Sequence, residues 1–457
     1  GGSRRQYWDR VLAGQARVVI GARSAVLAPV QDAGLFILDE EHEASYKQEE
    51  APRYHARDVA IHRAREAGAP VVLGSATPSL ESFHASQQGE YRLLRLPERV
   101  DRRPMPLVTV VDLREELAST GEVSPLSRPL REALRQVMAA REQAILFVNR
   151  RGFSGAMVCR ECGFAWRCPH CDVGLTYHHR PGEGVLRCHY CGYETQAASR
   201  CPRCGGTQMA AVGFGTQKVQ AALAAAFPGV PVLRMDADTT TRRDAHRHIL
   251  EAFARTAPAV LVGTQMVAKG HDFPRVTLAA AVLADVTLQL PDFRAAERTF
   301  QHLVQVAGRS GRGDRPGHVI VQTFQPHHYS IQAAATGGAQ TFYARELAFR
   351  RRLHYPPFGE LVRLVAQDPD EDRARLAAVE AARQLEEAGR RRPGVKVLGP
   401  APAPIARLRD RFRWQVVVRG PAPEARTLTQ ELLDGGSLSG RSRPESLIVD
   451  PDPVSVL

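Results

Sequence analysis

The sequence predicts an α/β protein. Two lobes rest on parallel strands, the first lobe partial; a cysteine-rich insert with two metal sites interrupts the second, and a small α/β sandwich closes the chain. Three observations carry this. Short apolar runs end in polar turns at Gly34 to His42, Val71 to Thr77 and Ala259 to Gln265, the pattern of buried parallel strands feeding functional loops. All eight cysteines fall between Cys159 and Cys204. Past residue 330, strand-like Leu361 to Val365, Gln415 to Val418 and Leu447 to Val449 surround a long helix over Arg373 to Arg391, whose alanines Ala378, Ala381, Ala382 and Ala388 recur with Leu385 near helical spacing.

Residues 1–117 form the partial first lobe and the polar stretch from Leu117 to Ser127 bridges onward. The second lobe covers 118–330 with the insert at 157–207, and the C-terminal unit covers 331–457. Charged residues at 24% and hydrophobic residues at 44% exclude a disordered or collagen-like chain. No apolar run reaches the roughly 18 residues of a membrane span. No apolar segment follows Gly1-Gly2-Ser3-Arg4-Arg5 as a secretion signal requires. A cytoplasmic protein with no membrane partner is expected. The net charge of +12 points to a polyanionic partner.

In the first lobe, the strand ending in Asp39-Glu40-Glu41-His42 has the form of a Walker B motif. One strand-end carboxylate, Asp39, suits magnesium, and the next, Glu40, suits orienting and deprotonating water. Gly74-Ser75-Ala76-Thr77 closes the next strand. The segment from Tyr46 to Tyr54 and on to Arg57 mixes rings with cations (Tyr46, Lys47, Arg53, Tyr54, His55, Arg57), the chemistry of a single-stranded nucleic-acid contact.

The insert's cysteines form four C-x2-C knuckles: Cys159/Cys162, Cys168/Cys171, Cys188/Cys191 and Cys201/Cys204. Eight thiolates make two four-coordinate zinc sites; a disulfide framework would need an oxidising compartment. Sequential pairing joins the first knuckle to the second and the third to the fourth. Nested pairing joins first to fourth (Cys159, Cys162, Cys201, Cys204) and second to third (Cys168, Cys171, Cys188, Cys191). The polar turn Arg180-Pro181-Gly182-Glu183-Gly184 reads as a hairpin that favours nesting. Gly163, Gly192 and Gly205 suit the tight turns after knuckles. His170, His178, His179 and His189 are surplus to the thiolates and are expected at the surface or facing DNA.

After the insert comes Ala268-Lys269-Gly270-His271-Asp272-Phe273, and then Gln305-Val306-Ala307-Gly308-Arg309-Ser310-Gly311-Arg312. Arg309 and Arg312, three apart, are expected on one helical face aimed at a γ-phosphate. In the last unit, eight basic residues and one acid, Asp410, lie between Arg391 and Arg419. Arg407, Arg409, Arg411 and Arg413 alternate with other residues, which on one strand makes a cationic ribbon for DNA. The bland alternative is a charged edge strand.

In this order the motifs resemble motifs II, III, V and VI of superfamily 2 helicases. With the knuckles, Asn149-Arg150-Arg151-Gly152-Phe153 and Asp292 to Arg298 (DFRAAER), the chain resembles the primosomal replication-restart helicases nearly from end to end. The resemblance implies RecA-like helicase lobes, nested zinc pairing and ATP-dependent 3′→5′ unwinding at abandoned forks. It implies that Asp39 holds magnesium, Glu40 activates water, Gln305 senses the γ-phosphate, and Arg309 and Arg312 are arginine fingers, with Gly270 also at the nucleotide. Ser75 and Thr77 would couple hydrolysis to movement, and Tyr46 to Tyr54 would sense single-stranded DNA. Implied partners are branched and single-stranded DNA, single-stranded DNA-binding protein and other primosome proteins.

The sequence departs from this pattern where a motor needs G-x-x-x-x-G-K-[ST] ahead of Walker B. The first lysine is Lys47, already past Asp39. The expected reason is that the chain is a C-terminal piece of a longer protein, the alternative a degenerate relative. Either way it is expected to lack ATPase by itself, and a non-enzymatic fork-binding scaffold is the competing function. Gln217, where glutamate is usual, and Asp285-Val286-Thr287, where the family often has D-x-D-G, bear on motor coupling and not on fold.

Overall fold

A computed structural model describes residues 2–98, 104–148, 157–180, 183–211, 214–236, 239–240, 245–264, 273–435 and 444–455. At its centre six parallel strands run in the order Val232–Met235, Ala259–Gly263, Gln143–Phe147, Val276–Ala281, His318–Thr323 and Leu107–Asp112. Ala259–Gly263 and Val276–Ala281 are buried at every position, as strands covered on both faces must be. Leu130, Leu134, Val219 and Leu223 from two helices fill one face. Phe300, Leu303, Ile331 and Phe342 fill the other.

The outermost strand corrects an expectation. Leu107–Asp112, placed by sequence in the first lobe, pairs with His318–Thr323 residue for residue. The second lobe's sheet therefore begins ten residues ahead of Leu117. Only pairing with a strand far along the chain decides this, and no local pattern reports such pairing.

The first lobe contributes a two-stranded parallel sheet, Phe36–Leu38 beside Val71–Leu73, joined through the helix Ala56–Ala67. Gly68, at φ +62°, ends that helix in the left-handed conformation that glycine adopts without strain. The next helix, Leu80–Gln87, fastens this lobe to the second. Leu80 is fully buried among Phe300 and Phe342, Phe83 stacks on Tyr343 at 4.1 Å, and Tyr343 donates to the Pro78 carbonyl at 2.7 Å.

The C-terminal unit is βαββαβ. Its strands lie antiparallel in the order Lys396–Leu408, Arg411–Gly420, Glu360–Asp368, Ser446–Pro451, with the helices Glu371–Gly389 and Glu424–Asp434 on one face. This is a split βαβ sandwich; sequence reading missed the second helix. The side chains at Leu361, Leu398 and Val417 point to the opposite face, into the cysteine-rich insert. Among the described residues no helix is long and apolar enough to cross a membrane.

Candidate functional site

Asp39 and Glu40 follow the strand Phe36–Leu38 directly. Glu40 takes φ +48°, and its amide donates to Asp39 Oδ1 at 3.0 Å. They face the second lobe across a cleft of about 710 Å³ lined also by Arg23, Gln305, Arg309 and Arg312. The last helical turn of Ala295–Ala307 carries Gln305. Arg309 and Arg312 lie beyond it, because the helix stops at Gly308; the single helical face expected for the arginines is corrected to a turn. Arg312 Nε donates to the Gly308 carbonyl at 2.8 Å. Gly311, at φ +67°, is required: a Cβ there would fall 2.6 Å from the Gly317 amide nitrogen.

His42 joins three of the expected motifs. The Gln305 side-chain amide donates to His42 Nε2 at 3.0 Å, which leaves the Nδ1 proton to donate to Ser75 Oγ at 2.7 Å. Ser75 Oγ also accepts from the Thr77 amide at 3.0 Å, and Thr77 is buried. Glu41 had no role assigned from sequence. It is 1% exposed and accepts from the Ser79 amide at 2.6 Å, Ser79 Oγ at 3.1 Å, Ser82 Oγ at 2.9 Å and Arg57 Nη1 at 3.4 Å. A carboxylate this deep needs such partners. Its position as the third acid of the DEEH run was the available signal.

The aromatic loop is wired differently from expectation. Tyr46 donates its hydroxyl to the Asp39 carbonyl at 2.8 Å. Lys47 is 7% exposed and ion-pairs with Asp450 at 3.1 Å, so it points into the protein rather than toward a phosphate. Arg57 turns inward to Glu41 and Ser79. His55 caps the helix that follows by accepting from the Arg57 amide at 3.2 Å; burial first, and Arg57 next, lower its pKa to about 4. Arg53 and Tyr54 are half-buried and line a second cleft of about 1370 Å³ with Arg294, Arg298, His302 and Arg426. Gly270 lies outside the described residues, as do the rest of 265–272 and 149–153.

The four knuckles fold alike. The amides of Gly163, Asp172, Gly192 and Gly205 donate to the carbonyls of Cys159, Cys168, Cys188 and Cys201 at 2.8–3.0 Å. All four of these residues take φ between +53° and +77°. Asp172 is the exception to glycine, braced by Arg167 Nε at 2.8 Å. The thiols gather as Cys159, Cys162, Cys201 and Cys204, and as Cys168, Cys171, Cys188 and Cys191. Nesting is thus the arrangement found. Sulfurs about 2.3 Å from zinc stand about 3.8 Å apart in a tetrahedron. The pairs Cys159–Cys204, Cys162–Cys201 and Cys168–Cys191 measure 3.7, 3.6 and 3.5 Å, so the donor set fits zinc.

Two further expectations need correction. His189 is buried, not surface or DNA-facing: its Nδ1 donates to the Pro402 carbonyl at 2.9 Å, and its Nε2 meets His178 Nε2 at 3.2 Å. The cationic ribbon is a hairpin. Arg409 and Asp410 take φ +51° and +59° as its two turn residues. Leu408 therefore pairs with Arg411 and Arg407 with Phe412, so the four arginines do not share one face. Arg411 pairs with Glu445, Arg413 is half-buried, and Arg409 is exposed at the tip.

Comparison with known proteins agrees with this geometry. The family model of the PriA DNA helicase Cys-rich region (CRR) domain matches residues 168–195. That of the primosomal protein N C-terminal domain matches residues 351–454. Replication restart protein PriA of Bacillus subtilis (strain 168) is 48% identical over 418 residues, covering 92% of this chain and 51% of that protein. Its namesake in Synechocystis is 45% identical over 428 residues, covering 92% and 51%. The Treponema pallidum protein is 40% identical over 459 residues, covering 100% of this chain and 68% of the relative. The chain spans about half the length of the first two. With two nested cysteine tetrads, matches to both family models and 40% identity to a relative of which it covers more than two thirds, the chain belongs to the replication restart protein PriA family.

Proposed function

We propose that this chain carries the Walker B, coupling and DNA-handling parts of a helicase that unwinds DNA 3′→5′ to restart replication at stalled or abandoned forks. The observation that carries this reading is the cleft in which Asp39 and Glu40 of one lobe face Gln305, Arg309 and Arg312 of the other. Asp39 holds magnesium, Glu40 orients and deprotonates water, and the two arginines neutralise charge on the γ-phosphate. Gln305 senses the nucleotide and passes its state to Ser75 through His42, and Gly270 contributes at the same nucleotide. Bound ATP with magnesium supplies the transferable phosphoryl group. Each cysteine tetrad holds one zinc ion. Arg53 and Tyr54 contact single-stranded DNA, and Arg409, with Arg411 and Arg413 behind it, contacts the fork. The partition keeps the expected bounds except that the second lobe begins at Leu107. Single-stranded DNA-binding protein and other primosome proteins are the partners, in the cytoplasm.

The competing reading is a fork-binding scaffold without ATPase. DNA-stimulated ATPase separates the two. The chain alone should show none. Fused to the part of the Bacillus subtilis relative outside the aligned region, it should hydrolyse ATP, and Glu40→Gln should abolish turnover while nucleotide binding survives. A fusion that binds forks and never hydrolyses ATP makes the scaffold the function.

A further inference from the structure

We infer that Lys47 is a positioning residue for Asp39: it ties the carboxylate-bearing segment of the first lobe to the last strand of the C-terminal unit. This rests on the reading of Asp39 as the magnesium ligand. The Lys47 ammonium donates to the Pro451 carbonyl at 2.7 Å and the Arg53 carbonyl at 3.2 Å, and it ion-pairs with Asp450 Oδ1 at 3.1 Å. A lysine so buried and already ion-paired is not available to a phosphate. Drawing it out would cost Asp450 this ion pair and the Pro451 carbonyl this donor.

The residue before it completes the link. Tyr46 holds the Asp39 carbonyl through its hydroxyl at 2.8 Å. Arg23 Nη1 clamps the same turn from the other side, donating to the carbonyls of Ser45 at 3.1 Å and Lys47 at 2.6 Å. Two adjacent side chains thus run from the C-terminal strand to the backbone of Asp39. The C-terminal tail also reaches the opposite wall of the nucleotide cleft. Arg298, on the helix that carries Gln305, donates to the Val454 carbonyl at 2.6 Å, and Ser455 Oγ donates to Asp292 at 2.9 Å. Strand Ser446–Pro451 and its tail therefore brace both walls, so DNA that shifts the C-terminal unit would alter the spacing of Asp39 from Gln305.

Hydrogen exchange on the whole chain tests this without ATP, so a fusion that never hydrolyses ATP would defeat the proposed function and leave this inference standing. Lys47→Met and Asp450→Asn should each speed exchange by about tenfold or more in residues 46–55 and also in 39–43, because breaking a buried pair on one side favours local opening. The double variant should exchange no faster than the faster single one, since both remove one interaction. Asp450→Asn keeps the side chain's shape and decides the case if Lys47→Met does not fold. Faster exchange confined to 46–55, or additive effects of the two variants, would reduce Lys47 to a loop anchor and overturn the inference.

Discussion

The inner and outer cysteine tetrads share one turn, one hydrogen-bond pattern and one donor set, and differ in what they touch. Around the inner tetrad, Cys168, Cys171 and Cys188 are buried with Tyr190, Phe293, Tyr355, Leu361, Leu398 and Val417 in a single cluster drawn from the insert, the second lobe and the C-terminal sheet. The Tyr355 hydroxyl donates to the Cys171 carbonyl at 3.0 Å, and the Gln415 side chain donates to that of His189 at 2.8 Å. The outer tetrad ends on Cys204, which is exposed, and Gly205 beside it faces open space. The same knuckle chemistry therefore serves two tasks. The inner site shapes a surface on which three parts of the molecule assemble; the outer one closes the ends of the insert.

Breaking one ligand in each site gives the largest contrast. Cys168→Ser and Cys204→Ser should each release one of two zinc ions, read by metal analysis. Losing a structural zinc forfeits folding free energy, and at the inner site the apolar cluster goes with it. Cys168→Ser should therefore cost several kcal/mol, of order 5, and open the C-terminal unit to trypsin. Cys204→Ser should cost well under half as much and leave that unit resistant. Equal costs, or release of both ions together by either change, would erase the distinction between the sites.

Alanine at the knuckle glycines sharpens the same comparison and limits it. Gly163, Gly192 and Gly205 share nearly one φ, +74°, +77° and +75°, so left-handed strain of about 1–2 kcal/mol is common to all three. Their surroundings differ. A Cβ at Gly163 would fall 2.2 Å from the Phe324 carbonyl oxygen, one at Gly192 would stand 3.2 Å from that of Pro400, and one at Gly205 meets nothing. Thermal unfolding should rank the costs Gly163→Ala, then Gly192→Ala, then Gly205→Ala. The first belongs to the outer tetrad, so that site is docked at its leading knuckle and free at its trailing one. A Gly205→Ala cost matching Gly163→Ala would mean that strain alone, not docking, sets the order.

A smaller effect isolates one hydrogen bond at the inner site. Tyr355→Phe keeps the ring stacked on Phe293 at 4.7 Å and leaves the Cys171 carbonyl without its buried donor. The expected loss is about 1–2 kcal/mol by denaturant unfolding with zinc content unchanged. No loss would mean that the hydroxyl does not help seat the C-terminal unit.

What sequence could disclose about these sites follows the range of the forces involved. C-x2-C knuckles and the strand ending in Asp39 are local: their own residues dictate them, and each stands where it was expected. Nested pairing was also legible, because the Arg180 to Gly184 turn brings the inner knuckles together. Lys47 was misread because its partner lies on the last strand, and composition around Lys47 matches a DNA-binding loop equally well. His189 was misread for the same reason, its partner being Pro402. The hairpin at Arg409 and Asp410 lacks the glycine or asparagine that marks such turns, so alternating arginines passed for one strand. Gly308 and Gly311 did carry a usable signal that the helix ends before Arg309.

That hairpin also supplies the smallest expected effect. Its strands pack Leu398 and Val417 against the inner tetrad, while its tip carries Arg409 into solvent. Arg411 is already paired with Glu445, and Arg413 loses exposure beside Arg363. Of Arg409, Arg411 and Arg413, Arg409 is the exposed one. Each phosphate that a protein ceases to neutralise lowers the slope of log affinity against log salt by about 0.7 to 0.9. Arg409→Ala should therefore lower the slope by about that amount and weaken all DNA sequences alike, with thermal stability unchanged; Arg411→Ala should lower it by less. Fluorescence anisotropy at several salt concentrations reads both. Cys168→Ser should act on the same binding curve from the other end of the strands, by unseating the hairpin's base, and so reduce affinity together with stability. If Arg409→Ala moves neither affinity nor slope, the tip is a solvated edge, and the inner tetrad's part in DNA binding must run through another surface of the C-terminal unit.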